Sequence, residues 1–257
     1  MIILYSGTPG SGKSLHQARD IYRWLSVGKP AITNYEINTS VIKSNRLGDF
    51  LYLPNDKLKP KFLIQYSREY FKNHRFKEGA IRVYIDEAQL MFNAREWQIS
   101  GRDEWISFFT QHRKYGYDVY LIAQFDRMID RQVRSLIEYE VIHRKCSNFG
   151  IYGKILSLFT LGNLFVSVKM WYPLKERVGS EFFKYHNKYS KIYDTYKDFG
   201  VFVDNDEIQC SQSASGDKPA STFRSVPAPI TDEIRKKLYL QLAICTKQII
   251  IKKSLNK

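Results

Sequence analysis

The chain has 257 residues, enough for one full α/β domain with a sizeable core plus a smaller appendage, and 44% apolar with 15% aromatic content excludes a disordered polymer. A formal net charge of +14 points to a polyanionic partner, either nucleic acid or an acidic membrane surface; the bland alternative is a merely basic soluble surface. Three cysteines, Cys146, Cys210 and Cys245, lie far apart with no CxxC or metal-ligand spacing, which suits a reducing cytosol and not a disulfide scaffold.

Met1–Ser6 is a short apolar strand that runs directly into a glycine-rich loop, so no cleavable signal peptide is expected at this end. Ser14–Ser26 is helical in pattern, with Leu15, Ala18, Ile21, Tyr22 and Leu25 on one side. Gly28 stops that helix, and Pro30–Asn34 reads as a second strand. Residues 38–80 are less regular, with a helix expected only at Glu69–Asn73. Ala80–Ile85 is a third strand, and Arg102–Tyr115 a helix ended by Gly116. Tyr117–Ala123 is a fourth strand, Arg127–Leu136 another helix and Ile137–His143 a fifth strand. This alternation predicts an α/β fold: a doubly wound, mainly parallel five-stranded sheet over residues 1–145.

After Cys146 the pattern changes. Ile151–Leu161 and Leu164–Tyr172 flank the turn dipeptide Gly162-Asn163, which predicts a β-hairpin appended to the core. Tyr185, Tyr189, Tyr193 and Tyr196 recur at helical spacing and form a stripe, so 146–204 is expected to be an appended hairpin and Tyr-rich helix. With Lys184, Lys188 and Lys191 the stripe could stack on single-stranded nucleic acid, but packing against the core explains the spacing more simply. Residues 205–230 read as a flexible linker, rich in Ser, Pro and Ala from 209 onward, and 231–257 as a basic amphipathic tail. From Lys218 onward nine Lys/Arg face only Asp232 and Glu233, so this end of the chain is locally +7. The longest apolar stretch, Ile155–Val168, is about 14 residues against the roughly 20 that span a bilayer, and no transmembrane segment is expected.

The strongest signal is Gly7-Thr8-Pro9-Gly10-Ser11-Gly12-Lys13-Ser14, a complete match to GxxxxGK[ST] after a strand and before a helix. Its glycines let the backbone wrap closely, so that consecutive N–H groups point at phosphate oxygens at a helix N-terminus. Lys13 can reach the β- and γ-phosphates as a point charge, and the Ser14 hydroxyl can ligate Mg²⁺. Ile81–Glu87 supplies the other half: Asp86, at the tip of a buried strand, can hold the Mg²⁺ shell, and Glu87 can orient and deprotonate the attacking water. The expected activity is that of a P-loop ATPase that uses ATP and Mg²⁺.

Gln124 ends the fourth strand. The arrangement resembles the additional-strand class of P-loop ATPases, in which that strand lies between the phosphate-loop strand and the Asp-Glu strand and a polar residue at its tip senses the γ-phosphate or lytic water. Arg127, Arg131 and Arg134 recur at i, i+4 and i+7, a helical face able to offer an arginine finger to a neighbouring subunit, with Arg131 and Arg134 the catalytic candidates. His112-Arg113-Lys114 could act in the same way or contact a DNA backbone, and the bland reading of either group is a solvated basic face.

MIILYSGTPGSGKS at the start, ITNYEIN at 32–38, VYIDEAQLMFNAR at 83–95, TQHRKYGYDVYLIAQ at 110–124 and IDRQVRSLIE at 129–138 together resemble the zonula occludens toxin-like (Zot) family. The resemblance covers roughly residues 1–200, and the family includes the assembly ATPases encoded by filamentous phages. It implies a motor that drives extrusion of single-stranded phage DNA at the cytoplasmic face of the host bacterial inner membrane. The implied setting is a homo-oligomeric ring working with phage and host membrane assembly proteins. The family's positions fall here on Gly7–Ser14, on Asp86 with Glu87, and on Gln124. Filamentous-phage members usually continue into a membrane-spanning helix and an outer domain. In place of these the chain carries the linker and the basic tail, so contact with an anionic membrane through residues 232–253 is one expectation. The alternatives are a DNA-packaging ATPase acting on a capsid and a nucleotide-gated membrane adaptor for phage assembly proteins.

Overall fold

A computed structural model describes residues 1–95, 101–146 and 164–193, all within one compact unit that ends at Asp198. Its spine is a sheet of eight strands in the order β3-β2-β4-β5-β1-β6-β7-β8. The strands are β1 Ile2–Ser6, β2 Ala31–Thr33, β3 Phe50–Tyr52, β4 Ile81–Ile85, β5 Tyr117–Ile122, β6 Tyr139–Lys145, β7 Leu164–Trp171 and β8 Glu176–Lys184. The helices are α1 Lys13–Ser26, α2 Pro60–Asn73, α3 Arg102–Gln111, α4 Arg131–Ser135 and α5 Asn187–Ser190.

The first six strands run parallel, and β7 and β8 add to them antiparallel. The parallel part therefore has one strand more than the five expected. β3 is the addition, and at three residues it is too short to carry an alternating pattern. β1, β2 and β5 are buried at every position, as a parallel sheet covered on both faces requires. α1 packs on one face through Ala18, Ile21, Tyr22 and Leu25 against Ile3, Tyr5 and Tyr120. α2 begins well before the helix expected at Glu69, because Pro60 occupies its first turn, where a missing N–H costs nothing.

The appended hairpin is a different one from that expected. β7 falls where Leu164–Tyr172 was placed, but its hairpin partner is β8, across Tyr172–Lys175, and the proposed strand at 151–161 lies outside the described residues. β8 has mostly exposed, polar positions and so lacks the apolar alternation that marks a strand. It is held to the core by Arg19 of α1, which pairs with Glu181 at 2.9 Å and lies over the Phe183 ring. The Tyr-rich helix is also shorter than expected. α5 is a single turn, Tyr189 and Tyr193 pack against the core while Tyr185 stays exposed, and Tyr196 is outside the described residues. The linker at 205–230 and the basic tail at 231–257 are likewise outside them. Among the described residues no helix is long and apolar enough to cross a membrane.

The helix expected over Arg127–Leu136 is broken. Residues Asp126–Met128 form a 3-10 turn, and Asp130 then adopts an extended ψ of 141° as the N-cap of α4. Its carboxylate accepts from the N–H groups of Gln132 and Val133 and pairs with Arg102 at 2.6 Å. That cap restarts the helix, so Arg127 does not share a face with Arg131 and Arg134.

Candidate functional site

Sheet order brings the carboxyl ends of β4, β5 and β1 side by side, with β5 between the other two. The loop leaving β1 is tied to the tip of β5 by Gly7 N–H donating to the Gln124 carbonyl at 3.0 Å. Gly7, Gly10 and Gly12 have φ of +140°, +72° and +93°, values that side chains rarely tolerate. A Cβ on Gly7 would lie 2.6 Å from the His143 carbonyl, and one on Gly12 would lie 2.7 Å from the Phe165 ring. Gly10, by contrast, has nothing within 4 Å and faces open space. The loop therefore packs tightly against β6 and β7 on its inner side, which leaves its crest clear for a ligand.

α1 starts at Lys13 with Gly12 as N-cap and no acidic residue in its first turn. Its partial positive charge and unpaired N–H groups are thus left for an external anion. Lys13 Nζ donates back to the Gly7 carbonyl at 2.5 Å and the Thr8 carbonyl at 3.2 Å, which holds the ammonium over the loop. Burial lowers the Lys13 pKa, and the nearby charges of Glu87 and Asp86 oppose that. The loop lysine and the strand-tip carboxylates therefore share one electrostatic environment.

Asp86 follows β4 and is held from every side. Its N–H donates to Asn34 Oδ1 at 2.7 Å, and Asn34 Nδ2 donates to its carbonyl at 2.8 Å. Asp86 Oδ1 accepts from the Glu87 N–H at 2.9 Å and Oδ2 from the Tyr193 hydroxyl at 2.8 Å. Burial pushes the Asp86 carboxyl above its ordinary range, with the Tyr193 and Glu87 hydrogen bonds and Lys13 pulling the other way. Glu87 next to it is exposed and left-handed, with φ +46° and ψ +48°, a conformation unusual for a residue with a Cβ. Its carboxylate accepts from Gln89 Nε2. The backbone turns sharply here, so Asp86 faces inward and Glu87 faces solvent. The Ser14 hydroxyl and Asp86 carboxylate are both hard oxygen donors, the kind a small divalent cation such as Mg²⁺ takes. The clear crest at Gly10 and the uncapped α1 end fit a polyphosphate beside them.

Gln124 lies at the β5 tip beside Gly7 and Thr8, where the three help line a cavity of about 400 Å³. Glu140 and His143 of β6 line it too. Glu140 is buried and accepts from Ser6 Oγ at 2.7 Å and Lys175 Nζ at 2.9 Å, joining the phosphate-loop strand to the β7–β8 turn. His143 Nδ1 donates to the Ser6 carbonyl at 3.1 Å, and its Nε2 meets His16 Nδ1 of α1 at 2.7 Å, both imidazoles being buried. Burial depresses both pKa values to about 3, with Arg19 and Arg23 adding to the effect at His16 against Glu181, and His16 and Lys13 adding to it at His143.

The basic candidates lie elsewhere. Arg131 is exposed and Arg134 half-buried on α4, on the chain that leaves β5 beyond Gln124. Arg113 pairs with Glu138 at 2.6 Å, and His112 Nε2 is 3.7 Å from the same carboxylate. Both belong to the segment that enters β5, at the opposite end of the strands from the phosphate loop. Motif reading did not single out Asn34, Glu140, His143 or Phe165, and it placed Tyr193 in a stripe read as packing, with nucleic-acid stacking as the alternative. Only Asn34 had a usable signal, as a strand-tip amide on the strand beside β4. Glu140, His143 and Tyr193 act through partners more than 100 residues away, and Phe165 meets Gly12 by shape across a comparable separation.

A family model for zonular occludens toxin (Zot) matches residues 1–198. The chain belongs to the Zot family. Its relatives include the Gene 1 protein of Enterobacteria phage I2-2, 29% identical over 171 residues that make up 63% of this chain and 46% of the relative. The Gene 1 protein of Enterobacteria phage M13 is 26% identical over 147 residues, 55% of this chain and 41% of that protein. The chain thus spans about half the length of the relatives it matches, or less. Among solved structures, the N-terminal domain of zonular occludens toxin from Neisseria meningitidis aligns with 75% of this chain and 98% of its own at 17% identity, TM-score 0.43. A parallel sheet with β5 between β4 and β1, and a GxxxxGK[ST] loop joining β1 to α1, make the fold an α/β P-loop NTPase fold.

Proposed function

We propose that this protein is a Mg²⁺-dependent ATPase that powers assembly and extrusion of single-stranded phage DNA at the cytoplasmic face of the host inner membrane. The observation that carries the reading is the convergence of Lys13 with Asp86 and Glu87 at one end of the sheet, beside an open phosphate cradle. Gly7, Thr8, Pro9, Gly10, Ser11 and Gly12 wrap the phosphates with backbone N–H groups. Lys13 exchanges its two carbonyl contacts for β- and γ-phosphate oxygens. The Ser14 hydroxyl and Asp86 carboxylate would hold Mg²⁺, whose charge would offset that developing on the phosphates. Glu87, exposed and turned outward by its left-handed backbone, accepts a proton from the attacking water. Gln124, fixed through its own carbonyl to Gly7, positions that water or registers the γ-phosphate.

Arg131 and Arg134 reach a neighbouring subunit's nucleotide in a homo-oligomeric ring. The net charge of +14 supports DNA or an anionic membrane as the surface on which the ring works, and phage or host membrane proteins complete the assembly. The 205–230 segment serves as linker to the basic tail at 231–257, which touches anionic lipid.

The test is the ATPase rate of purified protein alone and with single-stranded DNA, duplex DNA or anionic vesicles. A motor that grips its substrate shows stimulation by single-stranded DNA that fades steeply with added salt. Stimulation by vesicles only, or by nothing, would replace the motor with a membrane-docked adaptor. Preference for duplex DNA would favour capsid packaging.

A further inference from the structure

Beyond the phosphate loop and the Asp86–Glu87 pair, one contact joins the site to a distant part of the chain. The Tyr193 hydroxyl donates to Asp86 Oδ2 at 2.8 Å across a separation of 107 residues. Its ring stands edge-on to Tyr35, with centroids 4.8 Å apart. Tyr35 is buried on the strand-tip segment that also carries Asn34, and its hydroxyl accepts from Gln17 Nε2 of α1 at 2.5 Å. A continuous line therefore runs from the helix behind the phosphate loop through Gln17, Tyr35 and Tyr193 to the carboxylate.

The segment bearing Tyr193 is anchored along its length. The Ile192 side chain is 1% exposed, and its carbonyl accepts from the Asn38 N–H at 2.8 Å. Tyr189 packs edge-on against Tyr22 of α1, and Lys188 Nζ lies 3.9 Å from the centre of the Tyr22 ring. Packing alone accounts for the rings. It does not account for a hydroxyl aimed at a carboxylate that is already pinned through its main chain by Asn34 and through Oδ1 by Glu87 N–H.

We propose that Tyr193 is a positioning residue for Asp86, and that through it metal occupancy of the site is coupled to docking of the 186–193 segment, behind which the rest of the chain follows. This inference rests on the ATPase reading above. An ionised carboxylate offers about four acceptor positions, so one bond from Tyr193 and one from the Glu87 N–H leave room for metal-bound water. With the hydroxyl in place, both Asp86 oxygens are held, Oδ1 by the Glu87 N–H and Oδ2 by Tyr193. Without it, Oδ2 is free to turn. Coupling of this kind is reciprocal: whatever favours the ordered carboxylate favours the docked segment, and the reverse. Nucleotide state at the phosphate loop is in this way passed to the 186–193 segment.

Two measurements test the inference on the full chain. The first is Mg²⁺ half-saturation of ATPγS binding in wild type and in Tyr193→Phe, which keeps the ring on Tyr35 and removes only the hydroxyl. We expect it to rise about tenfold, the loss of one hydrogen bond to a charged group, while ATPγS binding without Mg²⁺ stays the same. The second is amide hydrogen exchange at Asn38, whose N–H donates to the Ile192 carbonyl and so reports docking directly. Mg²⁺ with ATPγS should slow it in wild type more than ATPγS alone, and that difference should vanish in Tyr193→Phe.

An unchanged Mg²⁺ requirement in the variant, or a tighter one, overturns the inference, as does exchange that ignores Mg²⁺ in the wild type. Failure of wild type to bind ATPγS at all would instead overturn the ATPase reading, and this inference with it.

Discussion

At the amino ends of the central strands, Glu138 accepts from the Ile2 N–H at 3.3 Å and from Arg113 at 2.6 Å, and Asp118 Oδ1 lies 2.6 Å from the Met1 amine. At the carboxyl ends, Lys13 holds only backbone carbonyls, Glu87 projects into solvent, and the first turn of α1 has no acid to balance it. One end matches charges in pairs and seals the sheet. The other assembles charges on separate elements and leaves them facing a common space. Stability is expected to depend on the first arrangement and chemistry on the second, since a phosphate site must keep its donors available for a ligand.

The largest effect that would sharpen this contrast comes from Glu87→Gln. Turnover should fall about 10²–10⁴-fold, the usual contribution of a positioned base, with ATP binding and melting temperature close to wild type. Single-turnover hydrolysis at saturating ATP measures it, and normal turnover would remove Glu87 from the role of base.

A smaller effect concerns the buried imidazole pair that backs the phosphate loop. His143 has its pKa depressed from 6.5 to about 3 in the fold, first by burial and then by His16. It faces His16, Tyr5 and Phe183 within the core, with the charge of Lys13 adding to the depression. As pH falls through 6.5 the unfolded chain takes up a proton that the native state refuses. Native stability is therefore expected to decline as pH drops from 6.5 toward about 3, and to be complete in this respect above 6.5. In denaturant melts at stepped pH, His143→Gln should flatten that slope. An identical slope would detach the acid sensitivity from this ring.

The smallest effect tests the sealed end. Glu138→Ala removes acceptors for Ile2 and Arg113. It should lower unfolding free energy by about 1 kcal/mol, because the Arg113 partner is more than half exposed and the pair is screened by solvent, without altering ATP affinity. Loss of ATP affinity in the folded variant would break the division between the two ends.

The legible parts of the site were those whose residues are close in sequence. Gly7–Ser14 must be contiguous, because a phosphate is wrapped by consecutive N–H groups of one turn, and Asp86 with Glu87 must end one buried strand. Both patterns could be read without knowing where the rest of the chain goes. The central strands were legible for a related reason: a strand buried on both faces is a short apolar run, and Tyr117–Ile122 is one. β8 was not, since eight of its nine residues are partly or fully exposed and its place depends on Arg19 and Phe183 meeting across the fold. The continuous helix expected at 127–136 failed because Asp130 caps a new helix in the middle of an apparently periodic stretch.

By itself, then, the sequence determined the phosphate loop, the acidic strand tip, the α/β class and membership of the Zot resemblance, all of which rest on local order. Tertiary structure alone decided that Asn34 clamps the Asp86 backbone, that Tyr193 holds its carboxylate, and that His143 and Phe165 press the loop from below. These contacts join strands and segments whose adjacency follows from sheet order, and sheet order is set by how the whole chain buries its apolar faces.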